Sequence, residues 1–233
     1  MKMSHTAAAP PLTRARTPLY RLLNRRGARW RTLGDAAAAT DLSTSPALDE
    51  LAIVDLSPLP RIGFKGRGTI AAMRARGLRV ESEPNRIFPQ DDGSLCLVLA
   101  PSEVLILSAL GGNDSQFSEW ERTFRLEDEE RTYPLPRRDS HAWLALTGRR
   151  APEMFAKLCA VDLRLGKFQN HAIAQTSLAR INAIVARSDR GETPVFHLLA
   201  DTASSLYLST CLLDAAREYG GEFVGLDRFE RLI

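Results

Sequence analysis

Cysteine is scarce: Cys96, Cys159 and Cys211 are the only three in 233 residues, and no two stand in C-x-x-C spacing. An odd, widely spaced set excludes a closed disulfide framework and a local cysteine zinc site, and it fits a reducing, cytoplasmic compartment. Histidine is almost as rare. His5, His141, His171 and His197 form no HxxH or HExxH pair, so a histidine metal site has no local signature either. No apolar run approaches the ~18–20 residues that cross a bilayer as a helix, and the N-terminus lacks the apolar segment of a secretory signal. It is Arg-rich and acid-poor, a composition that mitochondrial transit peptides share. Acid is missing altogether from the first 34 residues, which carry eight basic side chains (Lys2, Arg14, Arg16, Arg21, Arg25, Arg26, Arg29 and Arg31). The other 199 residues hold 23 basic and 28 acidic groups, so the net charge of +3 divides into a basic arm and a mildly acidic body.

What is present is an average globular composition, 44% hydrophobic and 25% charged, which excludes a fibrous repeat and wholesale disorder. Residues 1–47 read as a basic flexible arm and linker: AAAPP and Pro18 break any periodicity, Leu19–Trp30 suits a short helix and a docking segment, and residues 34–48 read as the linker. Two α+β units follow, 48–135 and 136–233, each with the element order strand, helix, hairpin, helix. The first opens with a strand at Leu51–Leu56, a turn (SPLPRIGFKGRG), a helix at Thr69–Arg76 and a hairpin of Leu95–Leu99 with Val104–Ser108. Phe117, Trp120 and Phe124 then mark a helix. The second opens with Ala142–Leu146 and a helix with Pro152 in its first turn. Strands at Ser177–Arg187 and Val195–Leu199 follow, and a helix carrying Leu208, Cys211, Leu212, Ala215 and Tyr219 stops at Gly220-Gly221. Gly66 and Gly148 align the units at an offset of 82 residues and set Met73 on Phe155.

Chemistry-bearing patterns are few. Gly63-Phe64-Lys65-Gly66-Arg67-Gly68 lies between a strand and a helix, but it is neither G-x-G-x-x-G nor G-x-x-x-x-G-K-[ST], and its glycines read more simply as a tight turn. His197 sits inside the apolar stretch VFHLL as a structural histidine, each cysteine lies on an apolar stripe, and Glu127–Glu130 reads as a solvated face. No Ser/His/Asp arrangement or paired carboxylates emerge, so no residue is assigned a catalytic, cofactor or metal role. The arm suits RNA by charge and stacking surface, and equally an acidic partner subunit. With the body net acidic, partner contact is the reading carried forward. It assigns Arg25, Arg26, Arg29 and Trp30 of the arm and Arg61, Phe64, Lys65 and Arg67 of the loop to an interface.

The stretch CAVDLRLGKFQNHAIAQTSLARINAIVAR, with VFHLL and LYLSTCLLDAAREYGGEF, resembles the gamma (small) subunit of heterotetrameric sarcosine oxidases and of the related N-methylglutamate dehydrogenases. Asp162, Leu163, Phe168, Gln175, Thr176, Leu178, Ala179 and Gly220 carry that resemblance. Asp55-Leu56-Ser57 and Phe64-Lys65-Gly66 are similar to the wider superfamily of the glycine-cleavage T-protein, an aminomethyltransferase. Asn170 and His171 depart from the pattern before QTSLA, and Arg67 after Gly66 departs from the Lys-Gly-Cys segment of cluster-repair relatives. The resemblance implies a folate-binding-type α+β fold and a scaffold role beside larger alpha- and beta-type flavoprotein chains and a small zinc-type subunit. It implies FAD and FMN in that complex and tetrahydrofolate on its large subunit, with no cofactor in this chain and neither nucleic acid nor membrane as partner. A free-standing folate-binding aminomethyltransferase is the alternative; it needs an acid to hold the pterin, for which Asp55, Asp162 and Glu103 are the available residues.

Overall fold

In the computed structural model of the protein, the structure describes residues 13–44, 46–111, 115–125 and 131–232. The arm up to residue 12 and the Glu127–Glu130 run lie outside the described residues.

The chain begins with β1 (Ala15–Arg16), α1 (Tyr20–Arg25), β2 (Arg29–Leu33) and β3 (Ala36–Asp41), which form a small sheet in the order β1-β3-β2. From residue 13 onward this segment is therefore folded rather than a flexible arm and linker, and the short helix expected within Leu19–Trp30 is α1. Leu19, Leu23 and Ala28 are fully buried and join the core against Ile53, Leu146 and Phe223. Ala36–Ala39, which read as linker, are a buried strand. Alanine is a poor strand former by propensity, but this strand needs small residues. Gly225, which precedes α6 (Leu226–Glu230), is pressed so close that a Cβ there would lie 2.1 Å from the Thr40 carbonyl oxygen.

Next come β4 (Ala52–Asp55), β5 (Arg61–Lys65), α2 (Thr69–Ala75), β6 (Arg86–Pro89), β7 (Leu95–Ala100), β8 (Glu103–Leu107), α3 (Ser115–Thr123) and β9 (Tyr133–Pro136). After them run β10 (His141–Thr147), α4 (Ala151–Phe155), β11 (Ile173–Leu178), β12 (Ile181–Arg187), β13 (Val195–Asp201), α5 (Ser205–Ala216), β14 (Glu222–Val224) and α6. The expected Ser177–Arg187 strand is in fact a hairpin. Ala179 and Arg180 turn it at φ of 49° and 67°, the left-handed pair that a two-residue hairpin requires.

Two large sheets result, ordered β6-β7-β8-β5-β9 and β11-β12-β13-β10-β4-β14. Their first four strands correspond one to one, and β5 and β10 each continue through a glycine into a helix. Gly66 (φ 151°) and Gly148 (φ 103°) both sit against backbone, where a Cβ would lie 2.0 Å from the Arg131 oxygen and 2.3 Å from the Glu50 oxygen. The fifth strands are exchanged. β4 immediately precedes β5 yet pairs with β10, and β9 immediately precedes β10 yet pairs with β5. The first α+β unit therefore opens spatially with β5, inside the expected turn, whereas Leu51–Leu56 contributes to the other sheet.

Period-2 alternation divides the core. Leu97, Leu105 and Leu107 of one sheet meet Val54, Trp143 and Leu199 of the other. Their opposite faces bury Cys96, Val98 and Ile106 against α2 and α3, and Leu144, Leu146 and Leu198 against α4 and α5. The layers run helix, sheet, sheet, helix.

Candidate functional site

Arg61 and Asp55 occupy the junction of the two large sheets with the N-terminal segment. Asp55 is buried; it accepts from the Thr17 hydroxyl and from the Ser57 backbone N–H (3.0 Å), and burial pushes its carboxyl above the usual range. Arg61 is 4% exposed and spends all five N–H donors on carbonyl oxygens. Nε donates to Arg137 (3.1 Å), one terminal nitrogen to Ser57 (3.0 Å) and Leu59 (2.9 Å), and the other to Arg138 and His141. Its expected role as a partner contact is therefore wrong. The guanidinium ties two turns together and supplies the charge that faces Asp55.

Phe64 is likewise corrected. At 2% exposure it packs edge-to-face on Trp120 (5.9 Å between centroids) and anchors the chain's own core. Strand alternation turns Phe64 inward and Lys65 outward. Lys65 is exposed and pairs with Glu103 (2.9 Å), which also pairs with Arg137 (2.7 Å); Arg67 is exposed. In the N-terminal segment Arg26 pairs with Glu222 (3.2 Å) and Arg29 lies 4.0 Å from Asp41, while Arg25 is exposed at the end of α1. Trp30 packs on Tyr20 (4.9 Å), and its indole N–H is buried without a hydrogen-bond partner. Arg25, Arg29, Lys65 and Arg67 thus stay accessible on the surface, while Arg26 and Trp30 are bound into the fold.

The three candidate acids do not converge. Asp55 is internal, Glu103 is held by two cations, and Asp162 is on the surface, where Arg164 holds its carboxyl down at about 2. No His/Cys/Asp/Glu cluster suited to a metal occurs among the described residues.

Two spaces open between the sheets. A small, partly open chamber of about 80 Å³ is lined by Ser108, Trp143, Arg190 and His197 among others. The His197 Nδ1 accepts from the Trp143 indole N–H (3.1 Å), so the neutral ring carries its proton on Nε2. Burial, with Arg190 nearby, pushes its pKa down to about 3. Binding sites for small organic ligands run to roughly 300–1,000 Å³; the chamber is smaller, and no carboxylate lines it to hold a pterin. The residues there do not fit tetrahydrofolate.

The second space is a cleft of about 500 Å³ across the inner face of β10–β13, lined by His141, Gln175, Ser177, Asn182, Ile184 and Leu199 among others. Gln175 spans from it to the other sheet, donating to the Leu99 carbonyl (2.7 Å) and the Asn85 side chain (2.9 Å). Burial, with Arg137 and Arg61 nearby, pushes the pKa of His141 below its usual value. The cleft offers hydroxyl and amide groups over an apolar back wall, and at one end the His141 Nδ1 is hydrogen-bonded to the hydroxyl of its neighbour Ser140 (2.8 Å). Sequence reading missed it, since its lining comes from four strands; the alternation of exposed Gln175 and Ser177 in QTSL is the one local signal.

No family model matches the sequence, and no curated protein matches it. Solved structures do. A chain of the heterotetrameric sarcosine oxidase from Corynebacterium sp. U-96 superposes with a TM-score of 0.67 at 19% identity, covering 88% of this chain and 96% of that one. The glycine cleavage system aminomethyltransferase T from Bartonella henselae superposes with a TM-score of 0.68 at 16% identity, covering 94% of this chain but 61% of that one. This chain thus spans nearly the full length of one sarcosine oxidase chain and less than two thirds of the aminomethyltransferase. It adopts the fold of the first and of the matching part of the second.

Proposed function

We propose that the chain is a non-catalytic, gamma-type small subunit of a cytoplasmic, multi-subunit flavoprotein that oxidatively demethylates an N-methyl amino acid such as sarcosine. The observation that carries the reading is one of extent: the superposition runs over 96% of a chain from a heterotetrameric sarcosine oxidase, with little left over on either side. The dispersal of Asp55, Glu103 and Asp162, with no carboxylate lining either the chamber or the cleft, supports a scaffold role in place of folate chemistry. On this reading FAD and FMN belong to the larger alpha- and beta-type chains, tetrahydrofolate to the large subunit, and a small zinc-type subunit completes the assembly. Arg25, Arg29, Lys65 and Arg67 are surface groups available to those chains, as Arg pairs bidentately with carboxylates.

The alternative, a free-standing folate-binding aminomethyltransferase-like protein, has in its favour the 0.68 TM-score to that enzyme. Calorimetry with tetrahydrofolate separates the two. The scaffold reading predicts no heat of binding to the isolated chain, and micromolar binding would favour the alternative.

A further inference from the structure

Strand β11 forms one edge of the six-stranded sheet and is paired along that edge only at its ends. At the start, Ile173 donates to the Asn85 carbonyl (2.9 Å) and Ile87 donates to that of His171 (2.8 Å). Past the end, Ala179 donates to the Leu158 carbonyl (2.8 Å), where Cys159 bridges to Leu178. In the β11–β12 hairpin the Leu178–Ile181 pair closes a two-residue turn. Alternate residues Leu178, Thr176 and Ala174 therefore point their backbone groups at β12, and Gln175 and Ser177 point theirs outward. Among the described residues, nothing in the backbone pairs with the N–H and C=O of Gln175 or the N–H of Ser177, and both residues are exposed. Unpaired edges of this kind are templates for another strand.

The surroundings say what kind. Of the four exposed large apolar side chains among the described residues, two adjoin the end of this strand: Val161, two residues past Cys159, and Tyr207 of α5. The Tyr207 phenol donates to the Ala179 carbonyl (3.0 Å). On the inner face the same edge opens into the 500 Å³ cleft, where Ser177 and Asn182 supply hydroxyl and amide donors and no carboxylate is present. A backbone at two-residue spacing satisfies the open edge, apolar side chains cover the exposed patch, and an acidic side chain complements the cleft.

We infer that the β11 edge and the adjoining cleft dock an extended segment of a partner chain, which adds as a strand between the Asn85 and Leu158 anchors and places an acidic side chain over Ser177 and Asn182. This rests on the hetero-oligomeric reading above. Strand addition draws affinity from main-chain hydrogen bonds and specificity from alternate side chains.

The test replaces the chain in its own cells with Ser177→Pro or Asn182→Asp and compares native mass spectra of the purified assemblies. Proline is tolerated at an edge position whose N–H faces outward, so Ser177→Pro keeps the thermal midpoint of the isolated chain. It is expected to weaken assembly by roughly tenfold or more, and Asn182→Asp weakens it by setting like charges together. Amide exchange at Gln175 and Ser177, fast in the isolated chain, slows in the wild-type assembly. An assembly that tolerates both variants, or unchanged exchange at both amides, overturns the docking site while leaving the hetero-oligomer standing. A homodimer lost on Ser177→Pro overturns the partner-chain assignment in favour of a second copy. A wild-type chain that stays monomeric overturns both readings.

Discussion

Arg61 shows how a charge becomes internal. Its guanidinium has five donors and five carbonyl partners, three of them on Arg137, Arg138 and His141, so it links turns that are 76–80 residues apart in sequence. Removing the guanidinium leaves buried carbonyl oxygens without their donor at about 1–3 kcal/mol each, so a loss of about 3–5 kcal/mol is expected. Arg61→Met is expected to lose about that much in urea unfolding, and Asp55→Asn combined with it to lose less than the sum of the single changes. Additive losses would mean that the two groups do not interact. Nothing local in PLPRIGFKGRG marks this arginine as buried, because its partners are all supplied by folding. The same holds for Phe64, whose inward side is set by the pairing of β5 between β8 and β9.

His197 adds a pH dependence with a definite sign. Its folded pKa is lowered to about 3, with burial the main cause, while the unfolded value is near 6.5. The native state thus stays neutral where the unfolded chain takes up a proton. Stability from this group is fully present above about pH 6.5 and falls as pH drops, by up to ~1.4 kcal/mol per pH unit. His141 and His171, also lowered, act in the same direction, and Asp55, raised, acts in the opposite one. His197→Gln keeps an acceptor for the Trp143 indole, so its urea midpoint should decline less steeply than that of the wild type between pH 6.5 and 5. Parallel declines would refute the assignment.

At the scale of elements, legibility followed burial pattern. LCLVL and EVLIL, AWLAL, VFHLL and the helices at Thr69 and Leu208 are visible because apolar periodicity or alternation is strong, and each lies where expected. Strands whose existence depends on a neighbour are not visible. β9 is YPLP, with two prolines that only an edge position tolerates, and β3 is an alanine run that becomes a strand because α6 presses on it. β14 lies parallel to β4, a pairing with no local signature. Of the site, the exposed residues of QTSL are legible and the cleft they border is not, since His141 and Leu199 reach it from other strands.

The two strand-to-helix glycines were legible, and their geometry makes a sharp prediction. Gly148 and Gly77 both have positive φ, but a Cβ at Gly77 meets nothing within 4 Å, whereas at Gly148 it would meet the Glu50 oxygen at 2.3 Å. Gly77→Ala should cost about 1 kcal/mol, the usual price of a left-handed alanine. Gly148→Ala should cost at least ~2 kcal/mol, because backbone must move. Equal costs by chemical denaturation would contradict the close approach.

For the whole molecule, the exchange of β4 and β9 between the two large sheets makes the chain one cooperative body. The N-terminal sheet closes one side of it with Leu19 and Leu23. What this body leaves open is surface: the β11 edge, the cleft, and the cations Arg25, Arg29, Lys65 and Arg67. The function proposed above makes this molecule a subunit that holds larger chains in place. The most direct test of that claim is a native mass spectrum with a visible absorbance scan, taken on the tagged chain isolated alone and again from its own cells. The account predicts a colourless chain alone, and a yellow assembly of several different chains that oxidises sarcosine or another N-methyl amino acid. A colourless monomer from both sources would contradict it.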